Sequence, residues 1–128
     1  MPAVPKKKKK VKRTTLLNKA DGLFSKIIRS YGRCRNCGSI SSLQCAHIVS
    51  RSYHAVRWDF DNAVALCASC HVYYTYRPLE WEEWVDKIFG KEYHYKLKQK
   101  ALTQTPPTYE EIIEVLLNYK VNPNDLSL

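Results

Sequence analysis

Two Cys-x-x-Cys pairs constrain this chain more than anything else in it. Cys34-Arg35-Asn36-Cys37 is followed by Gly38, and 29 residues separate Cys37 from Cys67-Ala68-Ser69-Cys70. A Cys-x-x-Cys knuckle bends so that both thiolates point at one ion, and two knuckles close a tetrahedron around zinc. Such a site is complete without further ligands, so it is a structural one. The fifth cysteine, Cys45, leaves an odd count. With no export signal expected, metal binding is the better reading than disulfides.

The 29-residue gap exceeds what a plain zinc ribbon needs, so an element is built between the knuckles. Its ends, Leu43 to Val49 and Asn62 to Leu66, have strand character. A polar, basic loop separates them, and Cys70 to Tyr74 opens a short helix. The order strand, loop, strand, helix, tied to one zinc, follows.

The rest of the 128 residues reads as helix around this centre. Residues 1–13, with lysine at positions 6 to 10, cannot build a core and read as a disordered basic tail. Residues 14–33 form an N-terminal helical segment, capped by Thr14 or Thr15, with Leu16, Leu17, Ala20, Leu23, Phe24, Ile27 and Ile28 at helical spacing. In residues 77–128, Pro78 starts a helix that Gly90 ends, with Trp81, Trp84, Val85 and Ile88 on one face. A second helix spans roughly 92–101. A third opens at Thr108 and stops at Asn122-Pro123. The aromatic residues of these helices read as packing residues, and His94 as structural.

Charge adds a partner. The 21 Lys+Arg against 12 Asp+Glu give a net +9. Residues 1–33 carry +10, residues 34–75 carry +1 and residues 76–128 carry −2. A basic excess of this kind suits a polyanion, most simply nucleic acid. The basic residues of the first helix read first as a solvated face. No apolar run approaches the length of a membrane span. A cytoplasmic setting is expected, and the basic run would also pass as a nuclear-import signal.

His47, Asn62 and His71, set between and beside the knuckles, resemble the HNH endonucleases with a ββα-metal site. The stretch Cys-Ala-His-Ile-Val-Ser-Arg at 45–51, then Arg57-Trp58-Asp59 and Asn62, then Leu66 to His71, is similar to phage-type members. From His47 to Asn62 it also resembles the NinG/Rap recombination nucleases of lambdoid phages. The resemblance implies an α+β fold, a small zinc-stapled, treble-clef-like ββα unit at residues 34–76 flanked by helices. It implies a metal-dependent DNA endonuclease, nicking as a monomer or cutting both strands as a homodimer, in a phage recombination or packaging setting. By position in the motif, His47 is the general base, Asn62 holds the loop that orients it, and His71 ligates a catalytic divalent ion (Mg2+, Mn2+ or another transition metal). Cys34, Cys37, Cys67 and Cys70 hold scaffold zinc.

One position departs from the pattern. Many members place a metal-ligating Asp or His directly before the base histidine; here it is Ala46. Cys45, His54 and Asp61 are the substitutes to weigh, Cys45 reading first as a small buried hydrophobe and His54 as a loop residue. Arg51 and Arg57 can grip phosphates with their bidentate forks, unless one of them pairs with Asp59 or Asp61. Trp58 reads as a loop anchor. Two other readings stand beside the nuclease: a non-catalytic zinc module that binds nucleic acid, and an interaction protein docking through its acidic C-terminal helices.

Overall fold

The computed structural model describes residues 11–119. The Lys6–Lys10 run and Asn122-Pro123 lie outside them. The elements are α1 (Arg13–Arg29), β1 (Leu43–His47), β2 (Ala63–Cys67), α2 (Ala68–Thr75), α3 (Pro78–Phe89), α4 (Lys91–Thr103) and α5 (Tyr109–Leu117), with one 3-10 turn at Phe60–Asn62 leading into β2. The expected strand, loop, strand and helix are present in that order, and the fold is α+β.

β1 and β2 pair antiparallel, with Cys45 opposite Ala65, Ala46 opposite Val64 and His47 opposite Ala63. Neighbouring residues of a strand point to opposite faces, and here each face meets its own helical layer. Ala46, Val64 and Leu66 pack with Trp84, Val85 and Leu97 of α3 and α4. Ala65 packs with Ala20, Phe24 and Ile28 of α1, Trp58 of the loop, and Ile113 and Leu116 of α5. The two-stranded sheet is therefore the middle of three layers, which gives a short hairpin the cover it needs to be stable.

Helix boundaries follow local chemistry. α3 has Pro78 in its first turn, where the missing N–H costs nothing. Gly90, at φ +97, lets the chain turn directly from α3 into α4. α5 opens with a complete capping box: the Thr108 side chain accepts from the Glu111 N–H, and the Glu111 carboxylate accepts from the Thr108 N–H.

Several expectations are corrected. α1 begins at Arg13 rather than at a threonine cap; Lys12 is the extended residue before it and makes no side-chain capping bond. α5 stops at Leu117, well before Asn122, because Asn118 turns its amide back onto the Glu114 carbonyl (3.0 Å) and ends the ladder there. Ile88 is exposed rather than packed, as is Tyr95. His94 is buried, 2.8 Å from the Asp86 carboxylate through Nδ1.

Gly22 sits on the exposed side of α1, and a Cβ there would meet nothing within 4 Å. Glycine inside a helix costs about 0.8–1 kcal/mol relative to alanine. Gly22→Ala is expected to stabilise the protein by that order, read as a raised midpoint in denaturant unfolding.

Candidate metal centre and adjoining cleft

The first knuckle is shaped by its backbone. Gly38, at φ +78, lets the chain reverse after Cys37. The Gly38 N–H donates to the Cys34 carbonyl (2.9 Å), and the Cys34 N–H donates to the Ser39 carbonyl (2.8 Å). The second knuckle forms where β2 runs into α2. The Sγ atoms of Cys34, Cys37, Cys67 and Cys70 all lie within 4.8 Å of one another. In a tetrahedral thiolate site with Zn–S near 2.3 Å, sulfurs stand roughly 3.8 Å apart; Cys37 and Cys67 are at 3.7 Å. The four cysteines are thus positioned to bind a metal such as zinc, and with four protein donors no coordination position is left for a substrate.

The electrostatics favour a thiolate at Cys34, whereas burial pushes the Cys70 thiol up to about 12. Burial opposes ionisation of Cys34, but the backbone N–H groups of Cys37, Cys67 and Asn36 outweigh it and bring the thiol down to about 6. Asn36 ties the cluster to the helical layer: its Nδ2 donates to the Cys70 Sγ (3.3 Å), and its Oδ1 accepts from the Trp84 indole N–H (3.1 Å). Sequence reasoning passed over Asn36 because a residue inside a knuckle carries no signal of its own.

Beside this centre lies an open cleft of about 650 Å3, lined by Asp21, Phe24 and Ser25 of α1, Cys45 and His47 of β1, Ser50 and Arg51 of the loop, and His71 and Thr75 of α2. The hairpin and α2 thus bring His47 and His71 to one cavity. The His47 ring stacks against Phe24 (centroids 5.7 Å apart). Its Nε2 donates to the Arg57 carbonyl (2.8 Å), which leaves the lone pair of the neutral ring on Nδ1. Burial lowers the His47 pKa below its ordinary 6.5. The Arg57 and Arg51 charges push the same way, against the Arg57 carbonyl and Asp21. His71 is lowered by burial as well. Its Nδ1 donates to the Gln44 amide oxygen (2.7 Å), which leaves Nε2 as the free acceptor.

Asn62 is completely buried and makes three hydrogen bonds with the loop. Its Oδ1 accepts from the Val49 N–H (2.8 Å), and its Nδ2 donates to the carbonyls of Val49 and Val56 (3.0 Å each). The loop is held from the other side by Asp21. That carboxylate takes both Nε (2.9 Å) and Nη2 (2.6 Å) of Arg57 and the indole N–H of Trp58 (2.9 Å). Burial raises the Asp21 pKa, but Arg57 and Trp58 outweigh this and hold it below the usual carboxylate range.

The partner of Arg57 is therefore Asp21, not Asp59 or Asp61, and its side chain is only 11% exposed. Arg51 is exposed at the cleft. Of the substitutes considered for Ala46, Cys45 lines the cleft with its thiol pushed up to about 12 by burial. His54 meets Trp58 edge-on and Tyr109 at a tilt (centroids 5.7 and 6.3 Å apart), and Asp61 is exposed on the 3-10 turn; neither lines the cleft. Ala46 itself is 2% exposed and packs into the core. Asp21 and Gln44 are the cleft-side residues that sequence reasoning missed. One faint signal existed for each: Asp21 is the only acidic residue among the first 33, and Gln44 shares a strand face with Ala46.

A zinc-type cysteine cluster, a two-stranded antiparallel hairpin and a following helix, with two histidines in the adjoining cleft, define the class of zinc-stapled ββα domains. Residues 33–77, about a third of the chain, match the family model described as HNH endonuclease. No curated protein and no solved structure matches the chain.

Outer hydrogen bonds to metal ligands commonly govern metal affinity by 10- to 100-fold. Asn36→Ala is expected to weaken zinc retention by about that factor, measured by competition with a chromogenic chelator. Stripping the zinc completely should change Trp84 fluorescence and unfold the centre together; zinc loss with an unaltered fold would refute the structural role.

Proposed function

We propose that the segment at residues 33–77 hydrolyses DNA phosphodiester bonds, with His47 as general base, and that a divalent cation at His71 assists. The observation that carries this reading is the opposite wiring of the two cleft histidines. His47 is fixed through Nε2 with Nδ1 left basic, and His71 is fixed through Nδ1 with Nε2 left as a donor.

The donor set fits a loosely held ion. The Nε2 of His71 is a neutral imidazole donor at the cleft, whereas Ala46 supplies none and the Asp21 oxygens are engaged by Arg57 and Trp58. When bound, the ion would stabilise charge on the phosphate and the departing oxygen. His47 takes the proton of the attacking water; its lowered pKa keeps it neutral, and so able to act, at pH 7. The Arg57 carbonyl fixes the ring, while Asn62 and Asp21 fix that carbonyl by holding the loop on both sides. Arg51 is free to meet a phosphate, whereas the guanidinium of Arg57 acts as a structural clamp. One site attacks one strand, so a monomer should nick.

Ala46, packed into the core where the motif usually has a ligand, favours a second reading, a zinc module that binds nucleic acid without cleaving it. A supercoiled-plasmid assay separates the two. Wild type with magnesium, manganese, nickel or zinc should convert plasmid to open circle, and His47→Ala should lower the rate by about 100-fold or more while binding persists. Binding without cleavage under every ion would leave the module.

The pH dependence has a definite sign. Only unprotonated His47 can accept a proton, and its pKa lies below 6.5. The single-turnover rate should therefore be on its plateau at pH 7 and fall on acidification, with a midpoint below 6.5. A limb centred above 7 would assign the titration to another group.

A further inference from the structure

α1 forms one wall of the cleft through Asp21, Phe24 and Ser25. The same helix turns Lys19, Lys26 and Arg29 to solvent. At 100° per residue these three fall on the sector of the helix that begins at Ser25 and leads away from the buried Ala20, Phe24 and Ile28. We propose that this face is the second wall of a DNA groove, along which Lys19, Lys26 and Arg29 track backbone phosphates toward the cleft.

The basic residues of α4 and α1 differ in their partners. On α4, Lys96 pairs with Glu92, Lys98 with Glu82 and Lys100 with Asp59. Among the described residues, Lys19, Lys26, Arg29 and Arg51 enter no ion pair. Asp21, the one acidic residue of α1, is already neutralised by Arg57. Lys19, Lys26 and Arg29 thus form an uncompensated positive face on the helix that walls the cleft, and Arg51 adds a guanidinium at the cleft itself. From Lys19 to Arg29 the helix rises roughly 15 Å, about four nucleotide steps of one strand. The charge and length suit a DNA backbone; Arg29 donates through Nε to the Ser25 carbonyl (3.3 Å), and none of the three side chains is held by a carboxylate among the described residues.

This inference rests on the cleft being a DNA site, but its test does not depend on cleavage. Binding of the zinc-loaded full chain to a 20-base-pair duplex is followed by fluorescence anisotropy between 50 and 200 mM salt, in the His47→Ala background without added divalent ion. Each phosphate contact contributes roughly 0.9 to the slope of log affinity against log salt. The triple exchange Lys19→Gln, Lys26→Gln, Arg29→Gln should make the slope shallower by roughly 2.7 and weaken binding at least about tenfold at the lowest salt. Each single exchange should remove about a third of that. Lys91→Gln, Lys96→Gln, Lys98→Gln removes the same net charge from α4 and should leave the slope unchanged. Equal losses in both triples would reduce the effect to net charge and overturn the proposal. So would unchanged binding in the α1 triple, or a slope that vanishes when Lys6–Lys10 alone are neutralised. Plasmid nicking by wild type, scored separately, decides the catalytic reading whichever way the slope falls.

Discussion

Four sulfur atoms within 4.8 Å of one another set the position of everything else at the centre of this protein. They join the turn after α1 to the junction of β2 and α2, across 29 intervening residues. Two strands of five residues each have too few backbone bonds to hold their own register. Once both knuckles close on one ion, Cys67 is fixed, and the register that pairs Leu43 with Cys67 brings His47 opposite Ala63 at the far end. α2 departs from the same cysteine pair, so His71, adjacent to Cys70, is fixed by the anchor that fixes the strand. The metal centre need not touch substrate to determine where the two histidines meet.

The loop between the strands needs a different solution, because it has no regular backbone ladder. Its polar groups are satisfied by side chains from two directions. Asn62, fully buried, spends its amide on Val49 and Val56, and Asp21 reaches from α1 to Arg57 and Trp58. Removing either partner would leave buried donors or acceptors unpaired, which costs more than the net gain of the bonds themselves. The carbonyl that orients His47 belongs to Arg57, the residue whose side chain is clamped. Charge pairing with a helix on one side and an amide clasp on the other thus converge on one imidazole ring.

What could be read in the sequence was what residue identity and spacing encode. The two knuckles, the strand–loop–strand–helix order and the capping box at Thr108 are local patterns, each with a mechanism that works over a few residues. Asn62 drew attention through the motif, though only the structure shows three bonds to the loop. Asp21 with Arg57, 36 residues apart, and Gln44 with His71, 27 apart, were not legible. A single polar pair across such distances leaves no periodicity; Arg57, read as a candidate phosphate contact or a partner of Asp59 or Asp61, pairs instead with Asp21 because the chain folds α1 over the loop. The start of α1 was misjudged by a lesser effect: a threonine is a good cap only where the backbone is extended, and here the extended residue is Lys12.

Ala46 shows how the core and the cleft compete for the same strand. Position 46 packs with Trp84, Val85 and Leu97 at 2% exposure, yet it also borders a pocket of about 380 Å3 shared with His47 and His71. Alanine brings no donor to that pocket, although His47 and His71 both line it. Gln44, two residues earlier on the same face, is exposed and instead takes hold of His71 through its amide. The strand thus supplies a hydrogen bond that orients a donor in place of a second donor. An ion held by one oriented imidazole would depend on the phosphate for most of its remaining charge compensation, so metal binding and DNA binding at this cleft should be strongly coupled, each tightening the other by the same factor.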